Sequence, residues 1–108
     1  MQLGFAYSPN GSSVTTVYAN ASVTAATWHH CAWVRNGTSF KMFLNGSAVT
    51  SGVTISGAIA DSTATLNIGR NGDNIEYLTG YLDDVRITRG YARYTANFTP
   101  PTAALPVY

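Results

Sequence analysis

The segment RNGTSFKMFLNG, residues 35–46, holds an alternating apolar run between two Asn-Gly pairs. Asn-Gly is a strong hairpin signal, because both central residues of a type I′ turn need a positive φ. Phe40, Met42 and Leu44 recur at every second position, which places them on one face of a strand. The segment therefore predicts a strand that two tight turns join to its neighbours.

The same reasoning extends outward along the chain. The run before the first turn is apolar on both faces, which suits a central strand covered on both sides. No window shows the 3.6-residue apolar stripe of a helix, and Gly, Asn, Asp and Pro clusters separate the apolar runs. Seven strands are predicted, at residues 3–7, 14–18, 28–35, 39–44, 47–55, 64–68 and 81–88. Seven short strands with regular turns predict an all-β fold, an antiparallel β-sandwich.

Size and composition limit the chain to one modest core, because it has 108 residues of which 45% are apolar. We predict a sandwich domain over residues 1–99. Pro100, Pro101 and Pro106 predict that residues 100–108 form an extended C-terminal tail.

Charge excludes some classes of partner. The formal net charge is +1, without a run of Lys or Arg, so neither nucleic acid nor a membrane surface is an expected partner. The single cysteine, Cys31, excludes an internal disulfide and is expected to be an inert thiol within a strand.

Four motifs occur in order: TWHHCAWV, FLNG, LNIGR and GYLDDVRITRG. Together they resemble the laminin G-like members of the concanavalin A-like jelly-roll superfamily over residues 28–88. The resemblance implies two stacked antiparallel sheets. Members of that family carry additional strands ahead of the region of Leu3, so we expect the sandwich to lack its N-terminal strands. Either a neighbouring chain completes the sheet, or the sequence is part of a longer polypeptide.

The ending ARYTANFTPPTAALP, residues 92–106, resembles the ending of such domains in structural and tail proteins of tailed bacteriophages. This resemblance implies a non-enzymatic virion module, in a tail fibre, spike or surface decoration, that binds host-surface glycans. Its expected partners are other copies or other virion proteins, and its expected location is the phage particle. The alternative is a carbohydrate-binding module of a longer bacterial or phage enzyme, secreted in the bacterial case.

Catalysis is not expected. Glucanases of the same superfamily place Glu-x-Asp-x-x-Glu or a close variant on one strand, because acid and nucleophile must flank the glycosidic bond. This chain has one glutamate, Glu76, and no Glu-x-Asp pair. His29 and His30 are adjacent, so in a strand their side chains leave opposite faces and cannot chelate one ion. No catalytic residue and no metal site of that kind is predicted.

The loop RNGDNIE, residues 70–76, is the first choice for a polar contact surface. Two alternatives remain open for it: a plain Asn-Gly turn, and a calcium site formed by Asp73, Asn74 and Glu76, although the spacing matches no EF-hand. Calcium is thus the one cofactor considered. Trp33 is either a core residue or part of an exposed binding surface. The predicted glycan-binding residues are Trp33, Asn71, Asp73, Asn74 and Tyr77.

Four residues are predicted to have structural roles. Trp28 is expected in the core and His30 packed within the sheet. Asp83 is expected on the core side of its strand, where it would accept backbone N–H groups or pair with Arg86 or Arg70. The predicted sandwich has a shared interior composed of Trp28, Val34, Leu44, Ile68 and Val85.

Overall fold

The computed structural model describes residues 1–72 and 75–106 and confirms the predicted all-β class. All pairings between its strands are antiparallel. The described residues contain no helix that could cross a bilayer. The strands are β1 Gln2–Tyr7, β2 Thr15–Ser22, β3 Cys31–Asn36, β4 Ser39–Leu44, β5 Ser47–Ala48 and β6 Val53–Thr54.

Strands β1 and β2 form a two-stranded hairpin, with an irregularity in register near its start. The connecting loop is organised by Asn10, whose Oδ1 accepts the backbone N–H groups of Ser12 and Ser13, both at 2.9 Å. Asparagine side chains stabilise turns in this way, and the Ala60 N–H also donates to the Ser8 carbonyl at 2.8 Å, which joins the loop to a distant part of the chain.

Strand β4 is the centre of the second sheet, with β3 along one edge and both β5 and β6 along the other. The turn after β4 is the predicted one, since Asn45 and Gly46 have φ values of 51° and 83°. The turn before β4 differs from the prediction. Asn36 pairs with Ser39, so the loop residues are Gly37 and Thr38, and only Gly37 has a positive φ, 60°.

The predicted strand at 47–55 is divided into β5 and β6. Between them the backbone N–H of Val49 donates to the Met42 carbonyl at 2.8 Å. The Met42 N–H donates to the side chain of Thr50, whose Oγ1 accepts it at 2.9 Å, and not to a backbone carbonyl. A hydroxyl that replaces a backbone acceptor interrupts the regular ladder at this point.

Alternation along β4 places its apolar side chains on both faces of the sheet. Phe40 and Met42 face the β1–β2 hairpin, and the Phe40 ring stacks on Phe5 with centroids 4.5 Å apart. The backbone N–H of Asn20 in β2 donates to the Val49 carbonyl at 2.7 Å, which joins the hairpin to the second sheet. The main core consists of Leu3, Ala19, Phe40, Met42 and Ile55.

The opposite face of the β3–β4–β5 sheet is covered by residues 94–98, which we call the C-terminal clip. Lys41 Nζ donates to the Thr95 carbonyl at 2.8 Å, and the Ala48 N–H donates to Asn97 Oδ1 at 2.9 Å. The Phe98 N–H donates to the Gly46 carbonyl at 2.9 Å. Three hydrogen bonds thus hold a segment without regular structure against the sheet.

Aromatic rings fill the space under the clip. Tyr94 and Phe98 stack with centroids 3.6 Å apart, and the edges of Phe43 and His30 each meet Phe98 at 5.4 Å. Phe43 is completely buried. The clip is therefore a second, aromatic core on the outer face of the sheet.

The prediction of strands at 64–68 and 81–88 is wrong. Both segments lie within the described residues, and neither forms a strand. Asp84 has a φ of 50°, which is incompatible with extended backbone. Asn67 bonds to the nearby Thr65 carbonyl and to Arg70. Such local side-chain bonds compete with the pairing of strands.

The predicted shared interior is also wrong for three of its five members. Ile68 and Val85 are exposed, and Trp28 is 68% exposed. Trp28 lies ahead of β3 and follows a turn in which Ala26 has a φ of 55°, so the alternation of the strand does not extend back to it. Val34 and Leu44 are half-buried, and Leu44 packs against the main core.

Candidate functional site

Residues 69–72 and 75–78, which we call the rim hairpin, flank the tip of the predicted polar loop and pair with each other. Arg70 and Tyr77 form an isolated antiparallel bridge. The Leu78 N–H donates to the Gly69 carbonyl at 2.8 Å, and the Asn71 N–H donates to the Glu76 carbonyl at 3.0 Å. Gly69, with a φ of 81°, allows the chain to enter this hairpin.

The rim hairpin carries three predicted site residues, of which Asn71 and Glu76 are in contact. Asn71 Nδ2 donates to Glu76 Oε2 at 3.0 Å, so the amide and the carboxylate face each other across the hairpin. Tyr77 follows directly and is 65% exposed. Asp73 and Asn74 lie outside the described residues.

Trp33 has a different position from the other predicted glycan-binding residues. It lies on β3, where its Nε1–H donates to the Gly4 carbonyl at 3.1 Å. In the described chain no hydrogen bond or ring contact joins it to the rim hairpin. The sequence left open whether Trp33 is a core residue or part of an exposed surface. It is 45% exposed and lies on β3, an edge strand of its sheet.

A cleft of about 130 Å³ lies at the start of β3 and is lined by the two histidines, Asp83 and Asp84 among others. The network assigns the tautomer of His29. Its Nδ1 accepts from Asn45 Nδ2 at 3.1 Å, while Nε2 lies 3.3 Å from the Thr24 carbonyl, which only accepts. The proton is therefore on Nε2, and both ring nitrogens are occupied.

His30 is oriented toward the clip, where its ring packs against Tyr94 and Phe98. Burial lowers the pKa of His30, and the positive charge of Arg86 lowers it further. Burial also raises the pKa of the neighbouring Cys31 thiol. Both effects favour uncharged side chains beside the aromatic core.

Asp83 does not occupy the predicted position on the core side of a strand. It is exposed, and its Oδ1 accepts the N–H of the adjacent Asp84 at 2.8 Å instead of pairing with Arg86 or Arg70. The positive φ of Asp84 removes the strand geometry on which that prediction depended. Arg86 instead donates from a guanidinium nitrogen to the Tyr94 hydroxyl at 3.3 Å, so it contacts the clip.

Metal ligands are not clustered in the described ranges, 1–72 and 75–106, where no three His, Cys, Asp or Glu side chains are placed to hold an ion. Two of the three predicted calcium ligands, Asp73 and Asn74, lie outside those ranges. The calcium site therefore stays a prediction.

A family model described as the concanavalin A-like lectin/glucanases superfamily, of the laminin G type, matches residues 2–93. The chain belongs to this superfamily. The matched region extends from β1 through the rim hairpin and ends immediately before the clip. No curated protein and no solved structure matched the chain in the two other comparisons.

Sequence reasoning about this lectin/glucanase domain missed the role of Asn45. Its Oδ1 accepts the His30 N–H at 2.9 Å while its Nδ2 donates to the His29 ring, so one side chain positions both histidines. In the sequence the turn motif predicts only a hairpin. The available clue is that its Asn-Gly pair ends the strand that follows the His-His pair by one hairpin, with the two histidines immediately ahead of β3.

Proposed function

We propose that this concanavalin A-like domain is a non-enzymatic carbohydrate-binding module. The observation that carries the proposal is the rim hairpin of a lectin/glucanase domain, which carries a bonded amide–carboxylate pair and, at the next position, an exposed phenol ring. Sugar rings stack on aromatic faces, while amide and carboxylate groups bind and orient hydroxyls. Asn71, Glu76 and Tyr77 provide these groups on one short hairpin.

The carboxylates support binding over hydrolysis. A glycosidase needs two carboxyl groups that flank the scissile bond, one of them free to give up a proton. Here Glu76 accepts from an asparagine amide, and Asp84 Oδ2 accepts the Leu105 N–H at 3.2 Å. Asp61 Oδ1 accepts the N–H of Ser62 at 2.9 Å. In each case a carboxylate oxygen accepts a hydrogen bond from a group of the chain itself.

The module acts, in this proposal, within a phage virion, as part of a tail fibre, spike or surface decoration. The phage-like ending at 92–106 supports this placement. Many large apolar side chains between Ile59 and Tyr91 are exposed, which supports contacts with other copies or other virion proteins. Such contacts would cover apolar surface that the domain leaves open.

A glycan array tests the binding function, with and without a chelator. We expect binding to at least one glycan, weakened about 3- to 10-fold by Tyr77→Ala, which removes a stacking ring. Tyr81→Ala, which removes another exposed tyrosine, is the matched control and should leave binding unchanged. Release of reducing sugar from a bound glycan, or a lack of binding to every glycan, would overturn the proposal. Loss of binding in the presence of the chelator would show that binding needs a metal ion, as the predicted calcium site implies.

The virion placement has its own test. Mass spectrometry of purified phage particles should detect this chain in multiple copies. A gene that continues into a glycosidase or peptidase domain would instead support the alternative, a binding module of a longer enzyme.

A further inference from the structure

We propose that Tyr18, whose ring lies beside Gly4, and Trp33, whose indole donates to the Gly4 carbonyl, form a second sugar-binding surface, the aromatic platform, for neutral pyranose rings. This inference rests on the proposed carbohydrate-binding function and adds a site to it. It differs from the rim hairpin in its residues and in the class of ligand, because it contains no carboxylate.

Gly4 makes room for the first ring. Gly4 pairs with Tyr18 across the β1–β2 hairpin, and a Cβ added at Gly4 would lie 3.4 Å from Tyr18 Cδ1 and 3.5 Å from Cε1. The phenol ring therefore lies across the glycine backbone. It is nonetheless 64% exposed, so one face of the ring remains open to solvent.

The second ring is held by a hydrogen bond to the same residue. Trp33 reaches from β3 toward the edge of β1, where its indole N–H donates to the Gly4 carbonyl. This bond fixes the indole orientation while almost half of the side chain stays exposed. Rings that are ordered before the ligand arrives lose little conformational freedom on binding.

The β1–β2 hairpin beside the aromatic platform is uncharged. Neither β1, QLGFAY, nor β2, TTVYANAS, contains an Asp, Glu, Lys or Arg. On β3, Arg35 is two residues from Trp33 and shares its face, but its guanidinium donates to backbone carbonyls. Thr16 and Asn20 are exposed and share the outward face with Tyr18, since each is two residues away along β2. Hydroxyl and amide groups beside two rings match a neutral sugar, which has a C–H face and a rim of hydroxyls. An acidic sugar would find no cation on β1 or β2.

The experiment uses Trp28→Phe as the parent protein, so that Trp33 is the single tryptophan and its fluorescence reports the site. Trp28 is exposed and lies in neither proposed site. Neutral oligosaccharides that bind on the array are titrated, and we expect the Trp33 emission to change on binding. Tyr18→Ala should weaken binding about 3- to 10-fold, while Tyr81→Ala should not. Affinity should be the same at about 0.05 M and 0.5 M salt, because no ion pair contributes.

The outcomes separate this inference from the proposed function. Sugar binding that survives Tyr18→Ala with unchanged affinity but is lost in Tyr77→Ala would leave the carbohydrate-binding function intact and overturn the aromatic platform. Self-association that Tyr18→Ala abolishes, without sugar binding at Trp33, would identify an apolar protein partner and also overturn it. If no glycan binds at all, the proposed function itself fails. Thermal unfolding of Tyr18→Ala checks that the variant is folded, and Trp33→Phe provides a second variant that retains a ring.

Discussion

Removal of the Phe98 ring should destabilise the domain, because this ring covers the fully buried Phe43. Truncation of a buried phenylalanine to alanine costs about 3–5 kcal/mol. Phe98 is half-buried, so we expect Phe98→Ala to lower the free energy of unfolding by about 2–3 kcal/mol. The stacked ring of Tyr94, at 3.6 Å, would lose its partner as well.

Urea denaturation followed by circular dichroism measures this effect, and the midpoint should fall by about 1–2 M. Tyr91→Ala is the matched control, because Tyr91 is an exposed aromatic residue just outside the clip. Its effect should stay within about 0.5 kcal/mol. Equal stabilities of the two variants would refute the role of the clip. A chain that ends at residue 93, where the family match ends, should be at least as unstable as Phe98→Ala.

Two further predictions concern the surroundings of the clip. Gly46→Ala would place a Cβ against the Phe98 carbonyl oxygen, inside van der Waals contact, so we expect it to lower stability in urea denaturation more than Gly52→Ala does. Gly52 is the matched control, because it also has a positive φ but has open space around it. A similar loss of stability in both variants would show that φ alone matters. The pKa of His30 is lowered in the folded protein, so the unfolded chain takes up the proton first. Stability should therefore fall as pH drops below about 6.5, and less so in His30→Phe; parallel thermal-unfolding profiles of the two proteins would contradict this.

The first four strands were predictable from local sequence alone, best around the Asn-Gly pairs at 36–37 and 45–46. The predicted bounds of β4 are the observed ones, and β1, β2 and β3 lie within a few residues of their predicted positions. Alternation also predicted that Phe40, Met42 and Leu44 share a face. Turn chemistry and period-2 patterning act over a few residues, so they can be read without knowledge of the fold.

The candidate site was predictable only in part. The described residues on either side of the polar loop pair as a hairpin that carries Asn71, Glu76 and Tyr77, as its Gly and Asn residues, which favour tight turns, indicated. The sequence could not place Trp33, since its partner is a backbone carbonyl on β1, 29 residues away along the chain. Tyr18 likewise has no distinguishing feature in the sequence, because the residue beside its ring, Gly4, lies on another strand.

By itself the sequence determined the all-β class, the central meander and the superfamily, all of which depend on local patterns and their order. Only the tertiary structure decided which apolar residues are buried. Leu66, Ile68, Val85 and Ile87 carry the alternation of strands yet remain exposed, whereas Tyr94 and Phe98, from a proline-flanked ending, seal a core. A side chain is buried only if another surface lies opposite it. For Tyr94 and Phe98 that surface is the sheet around β4, which is distant along the chain and cannot be recognised from local sequence.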